Sequence, residues 1–199
     1  MWLVAAAPFS LVARGDPVLS RCAIFIDGAY LEFVLKEEFG RPPIEFAALA
    51  TRIAGPRELL RTYCYDCLPY QSARPTLDER ERFARRQRFH HALNRIPRFE
   101  VRLGKLAFRG NQDGRPIFEQ KRVDILLGVD LVQLAAKHQI TDAMILAGDS
   151  DFLPAIEVAK QEGVVVHLFH GANPHSELLT RCDERVRLDA DFVDAIRRR

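Results

Sequence analysis

Ala143-Met144-Ile145-Leu146-Ala147-Gly148-Asp149-Ser150-Asp151-Phe152 joins an unbroken apolar run to a glycine and a pair of carboxylates. A short continuous apolar run closed by glycine reads as a strand buried on both faces, and the spacing from Phe152 to Gln161 reads as a helix. Val164 to Phe169 is a second continuous apolar strand. Strand, helix, strand, with apolar runs in place of alternation, is the pattern of a parallel sheet covered on both sides.

Working outward, Cys22 to Ile26 is a β-favouring run that stops at Asp27-Gly28, and Leu59 to Leu68 is another that stops before Pro69. Between them, Leu31, Val34, Leu35 and Phe39 have helical spacing and end at Gly40, and Ile44 to Ile53 is an amphipathic helix closed by Gly55-Pro56. Thr76 to Ile96 forms a long polar helix, with Thr76 and Glu79 in capping-box spacing. Phe99 to Leu103 and Leu106 to Phe108 read as strands. Pro116 to Phe118 pairs back across the loop Gly110 to Gly114 as a hairpin. A helix over Val123 to His138 precedes the opening stretch. After it come a short helix over Ser176 to Arg181, a strand over Val186 to Leu188 and a terminal helix from Asp191. The expected fold is α/β, with a mostly parallel central sheet between helical layers. One domain spans 21–199, with a basic helical excursion at about 74–98 and an extension over 1–20.

The chain has 199 residues, enough for one substantial core, and a net charge of +2, too small by itself to argue for a nucleic-acid partner. Cys22, Cys64, Cys67 and Cys182 include one C-x-x-C pair. That pair lies inside the apolar run 59–68 and has no second Cys or His pair to complete a tetrahedral site, so all four read as buried free thiols suited to a reducing cytoplasm. The apolar stretch Trp2 to Ala7 lacks a basic flank and is broken by Pro8, unlike a signal peptide. No run is long enough for a membrane span. The expected location is cytoplasmic, and a homo-oligomer is left open.

The chemistry lies in the carboxylates. Sites in open parallel sheets form at the carboxyl ends of strands. Asp27 ends the first strand, Asp149 and Asp151 follow the strand 143–146, and Asp124 opens a helix after Lys121-Arg122. Carboxylates at the ends of buried strands are costly unless neutralised. A divalent ion, Mg²⁺ or Mn²⁺, is the expected compensation, and Asp27, Asp124, Asp149 and Asp151 are the expected metal-binding and catalytic residues. Each has a plainer reading. Asp151 fits the N-cap of a helix with Pro154 in its first turn, Asp124 fits a first-turn acid and Asp27 a turn residue. Asp149 exceeds what one cap requires. Asp130 lies on the apolar stripe of its helix, about 9 Å along the axis from Asp124, and reads as a buried supporting acid.

Substrate must be held by cations. Eight arginines lie between Arg74 and Arg98, with Phe83, Phe89 and Leu93 marking a packed side of the helix. Arg85 and Arg86 on this helix, with Lys121 and Arg122 beside Asp124, are the expected contacts to phosphates of a single strand. The plainer reading of the arginine-rich helix is a solvated face with intrahelical pairs such as Glu81–Arg85. No Ser or Cys has a paired His, so a protein nucleophile is not expected.

Ile24-Phe25-Ile26-Asp27-Gly28, Lys121-Arg122-Val123-Asp124 and Gly148-Asp149-Ser150-Asp151-Phe152 resemble, in order, the three motifs of the NYN domain family. That family, which includes the LabA/DUF88-like bacterial proteins, belongs to the PIN-like nuclease superfamily. The resemblance runs from about Cys22 to about Leu188. It implies a Rossmann-like α/β/α sandwich, a metal-dependent endoribonuclease acting on single-stranded RNA, and metal-binding roles for the same four aspartates. DNA is the alternative polymer. Many members carry Asn three residues after the first Asp, where this chain has Tyr30. That departure supports the alternative of a catalytically weak or inactive RNA-binding module.

Overall fold

The structure is a computed structural model that describes residues 20–112, 115–121 and 123–198. Six strands form one all-parallel sheet in the order β3-β2-β1-β6-β7-β8. They are β1 (Arg21–Asp27), β2 (Glu58–Asp66), β3 (Phe99–Leu103), β6 (Asp142–Leu146), β7 (Val165–His170) and β8 (Glu184–Arg187). The chain winds outward from β1 to β3, then crosses back to place β6 against β1 and winds outward on the other side. The strand order therefore reverses between β1 and β6, where open α/β sheets form their ligand crevice. The register Ile26↔Leu146 and Ile26↔Cys64 brings the carboxyl ends of β1, β2 and β6 together at this point.

The unbroken apolar runs follow from coverage on both faces. Along β1, Ala23 and Phe25 face one core and Cys22, Ile24 and Ile26 the other. The first core is closed by α4 (Val123–Ala136), α5 (Leu153–Gln161) and α6 (Ser176–Arg181), through Leu127, Leu131, Ile156 and Leu178. The second is closed by α1 (Gly28–Phe39), α2 (Phe46–Ala54), α3 (Leu77–Asn94) and α7 (Ala190–Ala195), through Leu31, Leu49, Leu93 and Phe192. Phe25 is fully buried, a contribution of about 1.5–3 kcal/mol for such a side chain.

The elements expected from sequence are present, with shifts that have local causes. The capping box of α3 forms: Glu79 N donates to Thr76 Oγ1 and Thr76 N to Glu79 Oε2. α2 begins at Phe46, not Ile44, because Ile44 follows two prolines and makes a β-bridge to Arg197. The hairpin is longer than expected. β4 (Lys105–Gln112) pairs with β5 (Arg115–Lys121), with an irregularity between Phe108 and Gly110, where Gly110 takes φ 120°. All four cysteines are buried and free, and burial pushes the Cys64 thiol up to about 12 and that of Cys67 up to about 11. Among the described residues no helix is long and apolar enough to cross a membrane. The extension over 1–20, apart from Ser20, lies outside the described residues.

Candidate active site

Asp27 is both the last residue of β1 and the N-cap of α1. Its Oδ1 accepts hydrogen bonds from Ala29 N (3.0 Å) and Tyr30 N (3.1 Å), which fixes the carboxylate at the strand end. Gly28 lets the chain turn there, since a β-carbon would come within 2.9 Å of the Tyr65 carbonyl oxygen on β2. Burial pushes the Asp27 carboxyl up to about 6; the two amide bonds oppose this, and the charges of Asp124 and Asp66 add to it. Among the described residues no cation is one of the influences on Asp27, and the Lys121 side chain and Arg122 lie outside them.

Asp124 lies in the first turn of α4, where the helix dipole favours an anion. Its carboxyl is raised by burial and then by the charges of Asp149 and Asp151. Asp124 therefore links the group: its field reaches Asp27 on one side and it feels Asp149 and Asp151 on the other. The turn after β6 differs from expectation in one respect. Asp149, not Asp151, is the cap, its Oδ1 accepting from Asp151 N (3.2 Å) at the start of a 3₁₀ turn over Ser150–Phe152. Asp151 sits within that turn with its side chain exposed, since α5 begins only at Leu153. The cap occupies one Asp149 oxygen.

Tyr30 points away from this acidic group. Its ring packs over Gly148 and its hydroxyl accepts from Gly171 N (3.0 Å) at the end of β7. Asp130 is buried as expected, accepting from the Tyr65 hydroxyl (2.9 Å) and paired with Arg102 (3.2 Å).

Sequence reading misses Asp66. It ends β2 as Asp27 ends β1, and it is 2% exposed. It accepts from His90 Nε2 (2.7 Å), Arg86 Nη2 (2.6 Å) and Cys67 N (2.7 Å). Burial raises its carboxyl, but the His90 and Arg86 hydrogen bonds outweigh that and hold it below the usual range. The signal is present, an aspartate closing an apolar strand, but Asp66 sits inside the C-x-x-C pair, where the cysteines mask it.

Of the expected cations, Arg86 pairs with Asp66 and with Glu32 (3.2 Å), and Arg85 is exposed one residue away. Lys121 ends β5, but its side chain, like the whole of Arg122, lies outside the described residues. On α3 an i,i+4 pair forms between Asp78 and Arg82 (3.1 Å).

The donor set at the switch point is all oxygen, the chemistry of a hard divalent cation. Among the described residues no three Asp, Glu, His or Cys side chains stand close enough to enclose an ion on their own. Mg²⁺ needs no such cage, because it takes one or two carboxylates and keeps several waters. Burial of Asp27 beside two further negative charges fits that kind of guest.

Comparison with known proteins bears on the family and the fold. The family model for the NYN domain matches residues 21–189. An uncharacterised protein, y4oD, of Sinorhizobium fredii is 39% identical over 56 residues, 28% of this chain and 26% of that protein. The chain thus matches about a quarter of the length of that curated relative. The crystal structure of a protein of unknown function from Vibrio parahaemolyticus shares the fold, with a TM-score of 0.64 at 19% identity over 87% of this chain and 96% of that one. With the family model covering most of its length and the three acidic motifs at one sheet edge, the chain belongs to the NYN domain family of PIN-like nucleases.

Proposed function

We propose that the protein is a Mg²⁺- or Mn²⁺-dependent endoribonuclease that hydrolyses phosphodiester bonds in single-stranded RNA. The observation that carries this reading is Asp27, a carboxylate pushed up to about 6 by burial at the topological switch point and linked through Asp124 to Asp149 and Asp151. Asp27, Asp124, Asp149 and Asp151 are the residues that would hold the ion. A bound divalent ion supplies Lewis acidity toward the phosphate and a water of lowered pKa. The chain's own contribution is positioning. Ala29 N and Tyr30 N hold one Asp27 oxygen, and Asp151 N holds one Asp149 oxygen. Arg85, Arg86, Lys121 and Arg122 are proposed to bind the phosphates of the strand.

Purified protein should cleave a single-stranded RNA with Mn²⁺, and Asp149→Asn should abolish cleavage while its thermal unfolding stays that of a folded protein. Cleavage that persists in EDTA, or survives Asp149→Asn, counts against the reading. A second reading, an RNA-binding module with little or no turnover, is favoured by Tyr30. Its hydroxyl is engaged with Gly171, so the position presents no side-chain amide to a water or phosphate. Strand binding without cleavage across divalent metals selects that reading, and a strand of DNA cut as readily as RNA corrects the polymer.

A further inference from the structure

A groove of about 720 Å³ runs between α1 and α3, with Ala29 and Asp66 at its inner end. Ala29 N is one of the two amides that hold Asp27, so the groove opens beside the acidic group. Its walls follow helical spacing. Arg82, Arg85 and Arg86 recur on one face of α3, and Phe33 and Lys36 stand on the facing side of α1, one and nearly two turns beyond Ala29. Five cations line the groove against two carboxylates, Glu32 and Asp66. Asp66 is paired with Arg86, and Glu32 with both Arg86 and Arg41, which leaves the lining with a surplus of positive charge from Lys36, Arg82 and Arg85.

Two features separate this groove from an ordinary solvated helix face. Phe33 is 58% exposed although it stands among charged side chains, where it contributes to neither core. The Arg82–Asp78 pair is exposed on both sides, an ion pair that is worth little and easily exchanged for a phosphate. An exposed ring flanked by cations with spare hydrogen bonds is the arrangement that binds single strands, bases on the ring and phosphates on the cations.

We infer that this groove holds the single-stranded nucleic acid on one side of the scissile bond, with one base stacked on Phe33 and its flanking phosphates on Arg82 and Arg85. The inference rests on the nuclease reading for what happens at the inner end, but binding in the groove is measurable without turnover. A duplex, whose bases are already stacked, offers no free base face to Phe33, so the groove selects single strands.

The test uses fluorescein-labelled oligonucleotides of about ten nucleotides, a common footprint for such grooves, with binding read by anisotropy in EDTA. Phe33→Ala should weaken binding about 5- to 150-fold, the loss of one stacked base. Phe33→Trp should retain it. Replacing successive bases by abasic sites should reveal one position whose loss is costly in the wild type and free in Phe33→Ala. The double variant Arg82→Gln/Arg85→Gln should lower the slope of log affinity against log salt by about 1.4, or about 0.7 for each phosphate that is no longer neutralised. Phe33 is exposed, so its variants fold, and melting curves verify this. If Phe33→Ala binds like the wild type, if no abasic position matters, or if the wild type binds no strand, the inference is overturned. If Phe33→Ala is indifferent while Asp149→Asn alone removes cleavage, the groove fails and the nuclease reading stands. If Phe33→Ala loses binding but no metal supports cleavage, the groove stands and the nuclease reading fails.

Discussion

The ring of Tyr30 fills the space that a side chain on Gly148 would need: a β-carbon there would lie 2.1 Å from the ring. Tyr30 is three residues after Asp27, and Gly148 immediately precedes Asp149. The contact therefore sets the spacing of the two strand ends that carry these carboxylates, and the Tyr30 hydroxyl extends the tie to Gly171 beyond β7. In this chain the aromatic residue and the glycine are a matched pair.

That matching predicts coupling. Gly148→Ala should destabilise the protein by about 1–3 kcal/mol, the usual cost of overpacking, and Tyr30→Ala should also destabilise it by opening a cavity. The double variant should cost less than the sum of the two by at least about 0.5 kcal/mol, because the alanine then enters space the ring has left. Denaturant unfolding of the four proteins measures this, and strict additivity would show that the contact does not set the spacing.

Asp27 is held as a half-buried carboxylate at a cost in stability. Its folded carboxyl, at about 6, lies above the unfolded value of about 4, so the native state binds more protons between these values. The stability this group contributes is present below pH 4 and lost as pH rises through 6. The full displacement corresponds to at most about 3 kcal/mol, and the solvent contact of this half-buried group reduces that to about 1–2. Asp27→Asn keeps the cap acceptor and removes the charge. Without divalent ions it should melt about 2–8 °C above wild type at pH 7.5 and like wild type at pH 4. A variant that melts lower at pH 7.5 would mean the carboxylate is not strained.

The sheet was legible because parallel strands buried on both faces leave unbroken apolar runs, as along β1 and β6. Two of the acidic motifs, at Asp27 and at Asp149, stood out for a related reason: an aspartate that closes such a run has no ordinary place in a core. Local turn chemistry was harder to read. In Gly148-Asp149-Ser150-Asp151 both aspartates suit a cap, and only the backbone path assigns the cap to Asp149. Asp66 was obscured because its compensation, His90 and Arg86, comes from a helix 20 or more residues along the chain. The arginine-rich helix likewise did not reveal that Arg86 turns inward and Arg85 outward.

Those two neighbours should behave differently. Arg86 neutralises Asp66, which is 2% exposed, and removing one member of a buried pair leaves the other uncompensated. Because Arg86 is itself partly exposed and His90 remains, Arg86→Ala should cost about 2–4 kcal/mol. Arg85→Ala, at an exposed position, should change stability by no more than about 0.5 kcal/mol. Urea denaturation of both variants tests this, and equal effects would contradict the pairing.

The far end of the sheet gives a pH dependence of opposite sign. At the start of β6, Asp142 accepts from Thr141 Oγ1 (2.7 Å) and His167 Nε2 (2.9 Å) and pairs with Arg57 (2.8 Å). Burial raises this carboxyl, but those three donors outweigh it and hold the group below the usual range. A lowered folded value means the group contributes stability above the unfolded value of about 3.9, and that stability is lost as pH falls through the folded one. Urea midpoints should therefore drop steeply below about pH 4 in the wild type. In Asp142→Asn the midpoint should be lower at pH 7 and the acid limb shallower, because Arg57 has lost its counter-charge and one titrating carboxyl is gone. Asp142 stands at the amino end of its strand, away from Asp27, so Mn²⁺-dependent cleavage by the folded variant should match wild type. An acid limb as steep as that of the wild type would place the acid sensitivity elsewhere.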